Sequence, residues 1–267
     1  MAGPLAKYAF INAKLRARIS NILPDETFQQ LEKAVSIDAA LTMLRGTPFE
    51  NLEGIYSATG GLRQAELELL KSEINLYRDL RQNVHPDSLE LIEALLGQFE
   101  ADNLKNAIRI FFDRRIRKRP ADASEHYIIY ERIVHEIPCD IIINARTFEE
   151  FAATCEGTPY RNPIRQYAPT VEMDASLFRM EIGIDHAYYR QLLAAISKLE
   201  TRDRAVAMRL AGVEIDLQNI NWIIRLKTFY DMPLDAVLAT IVPGGLNLNR
   251  DVLHELYQAQ NVTSVLQ

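Results

Sequence analysis

The amino-acid sequence predicts an all-α protein built from repeated helical-bundle domains. Three observations carry that expectation. Apolar residues recur at three- and four-residue spacing along almost the whole chain. No stretch of useful strand length alternates apolar with polar residues. Three short motifs return in the same order at a nearly constant shift.

The helices follow in chain order. Residues 5–20 carry apolar positions at Leu5, Tyr8, Ile11, Leu15 and Ile19, one face of a helix. Pro24-Asp25 opens the next run ahead of Phe28 and Leu31. A long run begins after Gly60-Gly61 and ends near Pro86, and another continues from there to Pro120. The short apolar stretch "DIIINA" at 140–145 fits strand or helix, and its helical surroundings favour helix. Residues 214–231, "EIDLQNINWIIRLKTFYD", read as a helix that is apolar over most of its circumference and so is expected to pack on several neighbours.

The repeat appears when segments are laid over one another. "DNLKNAIRI" (102–110) matches "QNINWIIRL" (218–226) at a shift of 116, pairing Asn103 with Asn219 and Arg109 with Arg225. "RGTPF" (45–49) matches "EGTPY" (156–160) at a shift of 111, and Tyr77-Arg78 matches Tyr189-Arg190 at 112. These anchors divide the chain into unit 1 (1–118), unit 2 (119–232) and a third unit begun at 233–267. At the 116 shift Thr263 falls beneath Thr147, so the third unit is expected to be either degenerate or incomplete within this chain.

The two asparagines are the unusual residues. In the second copy Gln218, Asn221, Arg225 and Thr228 form one narrow polar stripe, and in the first copy Asp102, Lys105 and Arg109 do. Asn103 and Asn219 fall outside these stripes, among apolar residues. A buried amide without partners costs about 1–3 kcal/mol. Each is therefore expected to bond backbone groups at a neighbouring helix end or turn and so set helix register, with Arg109 and Arg225 as matched structural positions beside them.

Composition and motifs narrow the function. A net charge of −6 and a pI near 5.5 disfavour a nucleic-acid binder that relies on overall positive charge. Cys139 and Cys155 have no accompanying His/Cys cluster, so free thiols are expected and no metal site. The N-terminus lacks a secretory pattern, and no window has the roughly 18 apolar residues of a membrane span. The five histidines make no metal-binding spacing, and His186 reads as a surface residue. Gly244-Gly245 lacks the Gly-Lys-Ser/Thr of a phosphate loop and reads as a turn between helices. No catalytic residue and no cofactor site is expected. The most distinctive charge feature is "DRRIRKR" (113–119), with Arg114, Arg115, Arg117, Lys118 and Arg119. It suits a solvated helix C-terminus, where cations complement the helix dipole. It would also suit contact with an acidic partner or anionic headgroups.

Taken together, "YAFINAKLRARISNIL", "EADNLKNAIRIFF", the two Thr-Pro motifs, "EIDLQNINWIIRLKTFYD" and "IVPGGLNLNRDVLHEL" resemble the C subunit of V/A-type ATPases, the equivalent of the d subunit of the eukaryotic vacuolar enzyme. The resemblance spans essentially the whole chain. It implies three similar all-α domains with pseudo-threefold symmetry and no catalytic activity. It implies a coupling role between the rotating central-stalk shaft subunits and the membrane rotor ring, in proton or sodium transport, at the cytoplasmic face of the membrane. The chain departs from the family in carrying only the first part of a third domain. A helical-repeat scaffold for other protein partners is the alternative; a further regular repeat with an extended concave face would mark it.

Overall fold

The computed structural model describes residues 4–120, 127–230 and 232–258. Thirteen α-helices and no strand occur among them: α1 (Pro4–Ile19), α2 (Asp25–Glu32), α3 (Ile37–Met43), α4 (Asn51–Thr59), α5 (Leu62–Arg81), α6 (Pro86–Arg115), α7 (Cys139–Asn144), α8 (Phe148–Thr154), α9 (Arg161–Asp174), α10 (Phe178–Ser197), α11 (Thr201–Tyr230), α12 (Leu234–Leu238) and α13 (Arg250–Gln258). The all-α class read from periodicity is the class observed. Thr263 and the rest of 259–267 lie outside the described residues.

The chain packs as two compact units, Met1–Asn106 with Asp122–Glu136, and Ala107–Ala121 with Ile137–Gln267. The division falls inside α6. In the first unit Leu41, Leu44, Leu52 and Ala65 form one core cluster, onto which Leu23, Leu31, Phe49 and Tyr56 pack. A second cluster joins Ile74 of α5 and Leu96 of α6 to Ile129 and Ile133 of the extended segment after α6. Lys14 and Arg18 of α1 both reach Asp79 of α5, and Lys7 reaches Asp87 at the start of α6. The Lys14 ammonium, with Arg18 behind it, holds the Asp79 carboxyl below the usual carboxylate range.

The second unit is built round the rings of Phe111, Phe148 and Phe151, with Phe111 and Phe148 edge to face at 4.9 Å between centroids. Ile142, Ile164, Met180, Ile184, Ile215, Ile223 and Leu226 complete its core. Cys139 and Cys155 are buried and form no disulfide.

Matched sequence produces matched local structure. Ser36 caps α3 by accepting from the Ala39 N–H, and Thr147 caps α8 by accepting from the Glu150 N–H. In the turn after each of these helices, the threonine hydroxyl donates to the carbonyl three residues back, Thr47 to Leu44 at 2.6 Å and Thr158 to Cys155 at 2.7 Å. Each hydroxyl oxygen also accepts from the N–H two residues on, that of Phe49 or Tyr160. The residue before each threonine has left-handed backbone, φ 73 at Gly46 and 74 at Gly157, which explains glycine there.

One expectation needs correction. His186 is a half-buried residue: its Nε2 donates to the Thr240 carbonyl at 2.7 Å and its ring stacks on Trp222. The expectation that α11 packs on several neighbours is met. Its core side meets α10, α12 and α13, whereas Val206, Leu210, Val213 and Leu217, on the far side, are exposed.

Candidate functional site

The structure places both asparagines on backbone. Asn103 Nδ2 donates to the Ile129 carbonyl and its Oδ1 accepts from the Ile129 N–H, each at 2.8 Å. Asn219 does the same with Val242, each bond at 2.9 Å. One amide thus satisfies both polar groups of one residue in a segment that belongs to no helix, which is why an amide and not an aliphatic side chain sits there. Asn219 is 1% exposed and Asn103 8%.

One turn earlier on each helix stands a buried carboxylate that sequence reasoning missed. Glu100 accepts from the N–H groups of Val134 (3.0 Å) and His135 (2.6 Å), and its other oxygen lies 2.7 Å from the His135 ring. Asp216 accepts from three successive N–H groups, those of Leu246, Asn247 and Leu248, at 2.7–3.3 Å. Successive N–H groups closing on one anion are a strong, charge-assisted arrangement. Each long helix therefore straps the segment behind it through a carboxylate and, three residues later, an asparagine. The segments run back along their helices, since 129 lies on 103 while 134 and 135 lie on 100. The acidic-x-x-Asn spacing, "EADN" and "DLQN", was visible in the sequence. Its meaning was not, because a carboxylate on a helix ordinarily faces solvent.

Geometry sets the chemistry of these groups. The Glu100 bond raises the affinity of His135 for its proton, against the opposing effect of burial. Glu214 of α11 is held above the usual carboxylate range by burial, which the Tyr188 and Tyr189 hydroxyls at 3.4 Å only partly offset.

The arginines divide. Arg109 forms an ion pair with Glu181 of α10 at 2.7 Å. Among the described residues nothing pairs with Arg225. In the basic run, the Arg115 guanidinium donates to the carbonyls of Ala145 (2.9 Å) and Asn144 (3.3 Å), at the C-terminal end of α7. Arg117 pairs with Asp113 and lies over the Phe112 ring. Arg114 is half-buried, whereas Lys118 and Arg119 are exposed beyond the helix end. The second unit also contains an open groove of about 1090 Å³, lined by Asn162, Tyr167, Arg179, His186, Arg190 and Thr240 among others. Among the described residues no group of three His, Cys, Asp or Glu side chains could hold a metal ion. None of the described helices is long and apolar enough to cross a membrane.

A family model described as ATP synthase (C/AC39) subunit matches residues 11–267. The chain belongs to this family. It is 25% identical over 261 residues to the C subunit of the A-type ATP synthase of Pyrococcus horikoshii, covering 97% of this chain and 66% of that protein. It is 23% identical to the protein of the same name from Methanosphaera stadtmanae (97% and 64%) and 25% identical to that of Methanosarcina acetivorans (94% and 67%). The chain spans about two thirds of the length of these curated relatives. Within this C/AC39 member, α6 and α11 each bond the segment that follows through a buried carboxylate and an asparagine.

Proposed function

We propose that the chain is a non-catalytic subunit of a V/A-type rotary ATPase, at the cytoplasmic face of the membrane. It couples the rotating central-stalk shaft to the membrane rotor ring during proton or sodium transport. The family match across residues 11–267, with relatives named as C subunits of A-type ATP synthases, carries this reading. The physical fit is that a coupler must resist twisting. Extended segments bonded along 30-residue helices stiffen each unit.

On the same reading residues 1–118, 119–232 and 233–267 are successive repeat units. The paired threonine turns, the paired caps and the equal lengths of α6 and α11 support that division. Asn103 and Asn219 hold the units together internally, with Arg109 and Arg225 beside them. The basic run Arg114, Arg115, Arg117, Lys118 and Arg119 is the part that offers charge to an acidic partner, chiefly through Lys118 and Arg119. The test is affinity purification of the tagged full chain from membranes of its source, read by mass spectrometry. Rotary ATPase shaft and ring subunits are expected in stoichiometric amounts; their absence, with the tagged chain intact, would remove the proposal.

A further inference from the structure

We propose that the open groove of the second unit is the docking site for an extended acidic segment of a separate polypeptide. That segment carries two carboxylates about five residues apart, with apolar residues between them. The inference rests on the second unit and does not depend on the rotary-ATPase reading.

The floor of the groove is one stripe of α10. Arg179, Gly183, His186 and Arg190 follow at steps of four, three and four residues, and all four line it. These steps keep them within about 60° of arc and set the two arginines about 16 Å apart along the helix axis. An extended chain covers that span in about five residues. Pro163 of α9, with Phe178, Met232 and Val242, gives the groove apolar walls.

Charge selects the occupant. None of the residues lining the groove is Asp or Glu. Arg179 and Arg190 are both exposed, and among the described residues neither has a hydrogen-bonding or ion-pair partner. The acids on the surrounding elements are engaged elsewhere or lie off the groove. Glu181 pairs with Arg109 and Glu156 with Arg161. Glu214 bonds the Tyr188 and Tyr189 hydroxyls, and Asp185 is buried with a partner of its own. Glu172, Asp174 and Asp235 are exposed and do not line the groove. Asp231 lies outside the described residues.

The first unit shows a matched helix face with its charge satisfied. At the 112 shift the counterparts on α5 are Leu67, Lys71, Ile74 and Arg78, and the segment after α6 engages all four. Leu67 and Ile74 pack in the cluster that holds Ile129 and Ile133. Lys71 pairs with Glu131 at 3.1 Å, and Arg78 donates to the Arg132 carbonyl. That segment brings two apolar side chains and a carboxylate to its helix. The segment after α11 brings no carboxylate. Counting from Ile129 and Val242, the residues held by the two asparagines, Gly244 stands at the place of Glu131, and residues 240–248 contain no Asp or Glu. It meets the α10 stripe through the Thr240 carbonyl, which accepts from His186. A segment from outside, apolar with acidic ends, supplies to α10 what the first unit supplies to α5 from within. A single small anion satisfies one arginine but not two about 16 Å apart.

The test uses the full chain and two fluorescent seven-residue peptides with valine and tyrosine between positions 1 and 6. One has glutamate at positions 1 and 6, and its twin has glutamine there. In fluorescence anisotropy the glutamate peptide is expected to bind at least about tenfold more tightly than its twin. Arg179→Gln/Arg190→Gln should remove that preference. Ala239→Trp, which fills the groove without changing its charge, should weaken the glutamate peptide by a similar factor. All three positions are exposed, and circular dichroism checks that each variant stays folded. The proposal is overturned by no binding of the glutamate peptide, by equal binding of the twins, by a preference that survives Arg179→Gln/Arg190→Gln, or by binding indifferent to Ala239→Trp. It is also overturned by self-association that Arg179→Gln/Arg190→Gln abolishes, which assigns the groove to a second copy. Binding of inorganic phosphate or of phosphatidylglycerol vesicles without peptide binding assigns it to a small anion or a membrane and overturns it as well.

Discussion

α6 and α11 are both 30 residues long, and each clamps the segment behind it with a carboxylate and an asparagine three residues apart. They differ in how the carboxylate is satisfied. Glu100, with the longer side chain, reaches two N–H groups and a histidine ring. Asp216 is shorter, so the backbone must come to it. Three consecutive N–H groups close on its oxygens, and a Cβ built on Gly245 would lie 2.1 Å from Asp216 Oδ1. Gly244-Gly245 is therefore more than a turn between helices, because the close approach requires the absence of a side chain. One methylene in the acid is exchanged for a glycine in the strap, and the histidine disappears with it.

The largest effect expected from breaking either clamp is at the more deeply buried one. Asn219→Leu strands the N–H and carbonyl of Val242, at about 1–3 kcal/mol for each group. Asn103→Leu should cost less, because Asn103 is the more exposed of the two. Urea unfolding gives the totals, and hydrogen exchange at the Val242 and Ile129 amides localises them. Unchanged stability in Asn219→Leu would show that the amide does not hold the strap.

Gly245→Ala should cost on the order of 1–3 kcal/mol through the clash with Asp216. The same change should cost clearly less in an Asp216→Ala background, where the oxygen it strikes is gone. Additive losses in this double-mutant cycle would contradict the contact.

A smaller difference is pH dependence, which only the first clamp should show. The His135 proton is bound more tightly in the folded state than at its ordinary value of 6.5. Its stabilisation is thus fully present below that value and is lost as pH rises through the raised folded value. As pH rises from below 6.5 through the raised folded value, the wild type should lose more stability than His135→Gln. Exchange at Val134 and His135 should quicken with pH beyond the intrinsic rate, while exchange at Leu246 and Asn247 should not. Parallel pH curves for wild type and variant would contradict the assignment.

The smallest expected effect separates the matched arginines. Arg109→Ala loses a partly exposed ion pair with Glu181, worth up to about 1 kcal/mol. Arg225→Ala should change stability by less than about 0.5 kcal/mol. Equal thermal shifts would remove the distinction between them.

Much of this was legible in the chain itself. Helical spacing, the absence of alternation, proline and glycine punctuation, and the threonine turns were all readable, because each depends on residues within a turn or two of one another. Asn103 and Asn219 stood out because an amide among apolar residues needs a partner. Which partner it takes could not be read, since Ile129 and Val242 lie 26 and 23 residues away. Glu100 and Asp216 looked like ordinary acids, because a helical pattern does not tell whether an extended segment will lie across them. His186 looked exposed for the same reason: Thr240 and Trp222 come from other elements.

Alone, the sequence determined the helices, their caps and turns, and the places where a polar group would have to be bonded inside. Tertiary structure decided which backbone met those groups, and which of two similar helix faces was covered and which was left bare. Local periodicity fixes the direction of a side chain on its own helix. What occupies the space in front of it depends on residues far along the chain.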